Sequence, residues 1–339
     1  MSTLLPINKK ERLMFPEVRL RRLRQSNGIR RLLSTPLPGP EKLIWPTFVI
    51  PGEKRREPIE SMPGQARLSI DQLLIDLAPL VQTGLGGILL FGLTDPSEKD
   101  PHGHAAYAPQ GTVQAAVRAV KEAFPQLVVI ADVCVCAYTD HGHCGPLSSS
   151  GEVDNDASLA ILQKVACSMA AAGADMVAPS SMMDGQVMAI REALDAANQT
   201  RTLIMSYSTK FASSLYGPFR DAEQSTPGEG DRTSYQAAPG DLRTALRESE
   251  FDEDEGADIL MLKPALFYLD ILTQLRANTD LPLAAYNVSG EYAMLHATAE
   301  RGWGDLKEMV RESMLALSRS GADIIITYWA NQYEQLLKD

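Results

Sequence analysis

Eight short apolar runs, separated by amphipathic stretches, constrain this chain more than any other feature. They read TFVI (47–50), GILLFG (87–92), LVVIADVCV (127–135), DMVAPS (175–180), TLIMSYS (202–208), DILMLK (258–263), LPLAAYNVS (281–289) and DIIITYW (323–329). Segments 70–81, 113–124, 157–172 and 186–198 lie between them and carry helical periodicity. Strands alternating with helices imply βαβ units and a parallel sheet. A local pattern recurs: Gly173-Ala174-Asp175, Gly256-Ala257-Asp258 and Gly321-Ala322-Asp323 each stand just before a strand. Glycine there suits the left-handed cap that ends the preceding helix. About eight such units closing on themselves give an α/β fold of the (β/α)8 TIM-barrel type, with functional residues at the C-terminal ends of the strands. An open doubly wound sheet is the alternative. No G-x-G-x-x-G follows the first run, which argues against a dinucleotide site.

The chain has 339 residues, of which 45% are hydrophobic, enough for a large core. It has no apolar run of about 18 residues and no apolar signal segment at MSTLLPINKKERL, so it is expected to be soluble and cytoplasmic, without a membrane partner. Charge is uneven. Residues 1–40 hold nine Lys or Arg against Glu11 and Glu17, a net of +7, so a total of -11 leaves -18 for the remainder. A basic arm (1–40) on an acidic body (41–339) predicts docking on protein, such as a neighbouring subunit. A solvated tail is the plainer alternative. Nucleic acid is not expected, because no recognition motif accompanies the arginines. Within the body, 211–240 is too long for a simple connection and is rich in Gly, Ser and Pro. It carries Tyr216, Arg220, Arg232 and Tyr235, which predicts an active-site lid.

Two constellations carry chemistry. The first is the segment DVCVCAYTDHGHCG, starting at Asp132. Side chains alternate along a strand, so Asp132, Cys134 and Cys136 share a face, and Cys144 can return from the following loop. Three thiolates suit zinc with an open fourth position. His141 or His143 could instead close a structural site, and reduced core cysteines are the plain alternative. Cys167, in an apolar helical stretch, reads as core. The second constellation is a pair of lysines. Lys263 ends DILMLK and precedes Pro264, which cannot continue an interior ladder. Lys210 follows TLIMSYS in the same relation to its strand. Either alone could snorkel to solvent. Two on consecutive strands predict amines whose pKa falls through mutual repulsion and desolvation, leaving neutral nucleophiles for imine chemistry.

At these residues the sequence resembles the porphobilinogen synthase (5-aminolevulinate dehydratase) family. The resemblance runs from Arg19 onward through RLRRLR, DVCVCAYTDHGHCG, APSSMMDG, SYSTKFASSLYGPFRDA, GDRTSYQ, LMLKPALFYLD, AYNVSGEYAM and IIITYW. It implies a lyase that condenses two 5-aminolevulinate molecules to porphobilinogen in tetrapyrrole (heme) biosynthesis, usually as a homo-octamer whose arms wrap neighbours. By resemblance, Lys263 forms the Schiff base with the first-bound, propionate-side substrate, and Lys210 holds the second. Ser289 and Tyr328 would bind the first carboxylate; Arg220, Arg232 and Gln236 the second. Asp132 and Ser180 would line the site. Cys134, Cys136 and Cys144 match the zinc ligands of zinc-dependent members, and Glu248 matches an allosteric magnesium ligand. The plain alternative for Glu248 is a solvated acidic helix face. For Ser289 it is a helix N-cap, for Tyr328 a core edge position, and for the arginines solvated loop charges. A one-lysine Schiff-base aldolase and a thiolate metal-storage protein are the competing functions. The second lysine and the cysteine cluster count against the aldolase.

Overall fold

The computed structural model describes residues 16–228 and 230–338. Its strands are β1 (Leu43–Val49), β2 (Arg56–Pro58), β3 (Ala66–Leu68), β4 (Gly87–Gly92), β5 (Val128–Val133), β6 (Met176–Pro179), β7 (Leu203–Lys210), β8 (Ile259–Lys263), β9 (Leu283–Asn287) and β10 (Ile324–Thr327). β1 and β4 to β10 pair in parallel in chain order, and β10 returns to β1 in the register Leu43↔Ile325 and Ile44↔Ile326. That last pairing closes eight strands into a (β/α)8 barrel and excludes the open sheet. β2 and β3 form a small antiparallel pair beside the end of β1. Each is only three residues long, too short to show a period. Each apolar run of the sequence overlaps one barrel strand. β1 starts earlier than expected and runs through Pro46, which pairs with Leu89.

The Gly-Ala-Asp repeat does more than end helices. Gly173, Gly256 and Gly321 take φ of 104, 99 and 113°, where a side chain would be strained. The next amide turns back onto the helix: Ala174 to Met169 O, Ala257 to Asp252 O, Ala322 to Leu317 O. The aspartate carboxylates then accept from an amide at the first or second residue of the adjoining strand, Val129 (2.8 Å), Ile204 (2.7 Å) and Leu283 (2.9 Å). One tripeptide therefore stops a helix and registers two strands at the barrel's N-terminal end. At helix starts, Asp154, Asp241 and Asp305 accept from the third helical amide. Such caps contribute about 1 kcal/mol each.

The body is Leu37–Asp339, and Met1–Pro36 is a separate unit. In that unit Leu20–Arg24 is a 3-10 helix and Asn27–Leu33 an α-helix capped by Ser26, and neither buries a residue. Lys9, Lys10, Glu11 and Arg12 lie outside the described residues. The segment 211–240 is not structureless: Ser214–Tyr216 and Gly217–Glu223 are helical. Its glycine and proline content hid this, although proline in a first helical turn is favourable. No helix among the described residues is long and apolar enough to cross a membrane.

Candidate active site

Parallel strands end together, so the last residues of β7 and β8 meet. Lys210 and Lys263 are direct cross-strand partners, both buried. The Lys210 Nζ donates to the Ser180 carbonyl at 2.6 Å. The Lys263 Nζ stands in an aromatic cage: 4.2 Å from the Tyr286 ring centre, 4.8 Å from Phe219 and 5.0 Å from Tyr207. Burial, reinforced by the Lys210 charge, pushes the Lys263 ammonium down to about 7. About half of such amines are neutral at pH 7, against about one in three thousand at an ordinary lysine.

The three cysteines lie just beyond β5, beside these amines. All are buried, and their sulfurs lie within 4.8 Å of one another. Cys134 and Cys136 Sγ are 3.4 Å apart. Hydrogen bonds from these two thiols push Cys144 well below the ordinary thiol range, while sharing with Cys134 and Cys144 pushes Cys136 well above it. The set can hold a soft metal ion through three sulfurs. Among the described residues no other His, Cys, Asp and Glu group comes together in this way. His141 and His143 do not join it; the His141 ring lies against Pro101 O, and His143 Nδ1 is 3.2 Å from the Tyr235 hydroxyl. Cys167 is half-buried against the core, as the sequence suggested. Asp132 is half-buried beside the cluster, and desolvation, with Cys134, raises its carboxyl to about 8.

The segment 211–240, expected to be a lid, is hydrogen-bonded to the ends of β7 and β8. The Tyr216 hydroxyl donates to Phe211 O (2.8 Å) and Lys263 O (3.2 Å), and the Ala237 amide to Lys210 O. Arg232 is buried, donating through Nη2 to Gly142 O (3.0 Å) and Ser225 O (2.6 Å). Burial opposes its charge, but the neighbouring cysteine sulfurs, Cys144 foremost, outweigh that and raise it. Arg220, half-buried on the lid helix, is lowered by burial and by Arg232. Ser289 is not an N-cap: Val288 takes that place, and Glu291 accepts from its amide. The Ser289 hydroxyl instead accepts from the Phe219 amide (3.0 Å) and donates to Leu215 O (3.3 Å), joining the lid to the end of β9. The Tyr328 and Tyr286 hydroxyls are 3.2 Å apart. Both Gln236 amide atoms and the Nε atoms of Arg220 and Arg232 are buried with no protein partner. Buried polar atoms are nearly always paired, so these groups retain capacity for a further hydrogen bond.

Glu223, absent from the sequence-based set, ends the lid helix. It is buried, accepts from Ser225 Oγ (2.6 Å) and lies 3.5 Å from Cys136 Sγ. Its only sequence signal is its place almost one helical turn after Arg220. Glu248 stands apart, on the outer helix Leu242–Asp254. It lines a cavity of about 920 Å³ with Asp184, Asp252 and Glu255, and neither lysine reaches that cavity. Its Oε2 is buried without a partner, and burial, with Asp184 and Asp241, raises it to about 7.

A family model described as "Delta-aminolevulinic acid dehydratase" matches residues 17–336. The chain belongs to the delta-aminolevulinic acid dehydratase family. Relatives bearing that name include one from Synechococcus elongatus, 50% identical over 94% of this chain and 98% of its own. Another, from Archaeoglobus fulgidus, is 48% identical over 96% and 99%. The fold is similar to that of the Toxoplasma gondii delta-aminolevulinic acid dehydratase (porphobilinogen synthase) solved with its product porphobilinogen: TM-score 0.91, 45% identity, 93% of this chain and 90% of that one. A metal-ligating role for the thiols agrees with their geometry.

Proposed function

We propose that this chain is a porphobilinogen synthase, a lyase that condenses two 5-aminolevulinate molecules into porphobilinogen with loss of water. The observation that carries this reading is the Lys210↔Lys263 pair at the strand ends beside three clustered cysteines. A neutral Lys263 amine attacks the first ketone, water leaves, and the imine acidifies the neighbouring carbon. Burial and the Lys210 charge disfavour the ammonium and so hold this lysine ready. Lys210 forms the second imine, and the pairing of the two strands holds both substrates within reach of each other, which supplies rate through proximity. Ser289 and Tyr328 hold the carboxylate of the first substrate. Arg220, Arg232 and Gln236 hold that of the second; guanidinium forks match carboxylates. Mutual repulsion of the two arginines is relieved by that anion, so closure of the lid depends on substrate. Asp132 and Ser180 line the chamber between the lysines.

Cys134, Cys136 and Cys144 would hold zinc, which would supply Lewis-acid chemistry beside the two lysines. Glu248, with Asp184, Asp252 and Glu255 lining the same cavity, would hold magnesium as an allosteric site. The basic arm docks on neighbouring copies in a cytoplasmic homo-octamer; its exposed Leu20, Leu23 and Leu32 support that role. Borohydride reduction in the presence of 5-aminolevulinate tests the lysine roles. Lys263→Ala should abolish trapping of the first substrate while Lys210→Ala still permits it; equal trapping in both variants removes the assignment.

A further inference from the structure

Lys210 faces the barrel interior only because β7 carries one extra residue. The pairs Met205↔Ile259 and Ser206↔Leu260 are followed by Thr209↔Leu262 and Lys210↔Lys263. Between Ser206 and Thr209 two residues, Tyr207 and Ser208, stand opposite Met261 alone, which is a β-bulge. The side chains record the shift. Tyr207 points inward, with its ring 5.0 Å from the Lys263 Nζ. Ser206 points outward and bonds Asp252 on the helix Leu242–Asp254. Ser208 and Thr209, although consecutive, both point outward to that same helix. Lys210 then turns inward, 5.4 Å from the Tyr207 ring. A regular strand would send Thr209 into the chamber beside Tyr207 and turn Lys210 toward the helix, because a one-residue slip exchanges the two faces.

A single outer-helix residue holds both halves of the bulge. Ser249 is buried, its hydroxyl 2.5 Å from Thr209 Oγ1 and 3.2 Å from Ser208 Oγ. It also reaches Ala245 O at 3.3 Å, so every polar contact of this hydroxyl lies within the strand–helix seam. We propose that Ser249 is a positioning residue that locks the β7 bulge and thereby presents Lys210 opposite Lys263. Ser249 touches no substrate; it acts through the strand. β8 carries no bulge of its own, so the effect falls on Lys210 and spares Lys263.

The inference rests on the imine reading of the two lysines, and the test separates them. Full-length enzyme is mixed with 5-aminolevulinate, reduced with borohydride in a single turnover, and the label on the Lys210 and Lys263 peptides is quantified by mass spectrometry. Loss of two buried hydroxyl contacts should lower the Lys210-to-Lys263 label ratio roughly tenfold in Ser249→Ala. Thr209→Val, which keeps the branched shape and leaves Ser249 in place, should lower it in the same direction, and Ser249→Thr, which keeps the hydroxyl, should restore it. Should Ser249→Ala fail to fold, Thr209→Val carries the test. An unchanged ratio, or parallel loss of both labels, would overturn the role of the bulge alone. Label at neither lysine in the unaltered enzyme would overturn the imine reading and this inference with it.

Discussion

Removing the Lys210 charge should move the pH dependence of chemistry at Lys263. Both amines lie within 5.4 Å of the centre of the Tyr207 ring. The two amines are therefore at most about 10 Å apart, and at an effective dielectric of about 20 two like charges at that distance repel by about 1.7 kcal/mol, equivalent to about 1.2 in pKa. Burial is the larger cause of the Lys263 shift, and it remains in Lys210→Ala. The Lys263 pKa should therefore climb from about 7 by about 1 to 1.5, without returning to 10.5. The sign follows from the nucleophile being the neutral amine: its population grows as pH rises through the pKa, so the whole profile moves to higher pH. At pH 7 the neutral fraction falls from about one half to a few per cent, a loss of roughly tenfold in the rate of the first imine. The assay is the initial rate of borohydride-trappable imine at Lys263, followed between about pH 6 and 9 in both proteins. A profile unmoved by the substitution, or moved to lower pH, would refute the coupling between the two lysines.

Two other outcomes are expected. Cys134→Ala should lose activity and retain none of its sensitivity to lead or mercury, since soft metals compete for thiolates; a variant as active and as lead-sensitive as the original would refute a metal site there. Deleting the residues before Leu32 should shrink the assembly measured by light scattering, and an unchanged mass would refute docking of the arm.

Much of this architecture is legible in the sequence because its signals are local. A strand buried on both faces shows as an apolar run, and a glycine in a left-handed cap recurs wherever a helix must stop before a strand. The lysines stand out because a charged residue at the end of such a run is costly. The inward turn of Lys210 is different. Alternation counted from Tyr207 places Thr209 inside and Lys210 outside, and only the pairing with β8 reveals the extra residue. The lid helix was hidden by its Gly-Pro start, and Glu223 by the fact that its neighbour, Cys136, is 87 residues away. The aspartates of the repeat read as strand-start punctuation, yet their carboxylates bind the amides of a strand about 40 to 54 residues earlier in the chain. Contacts of that range leave no period to detect.

The most direct test is porphobilinogen formation from 5-aminolevulinate by the purified protein, before chelation, after chelation and with zinc restored. The account predicts activity that falls with the chelator and returns with zinc. Activity indifferent to chelation would contradict the metal role of the three cysteines, and no product in any metal state would contradict the proposed function itself.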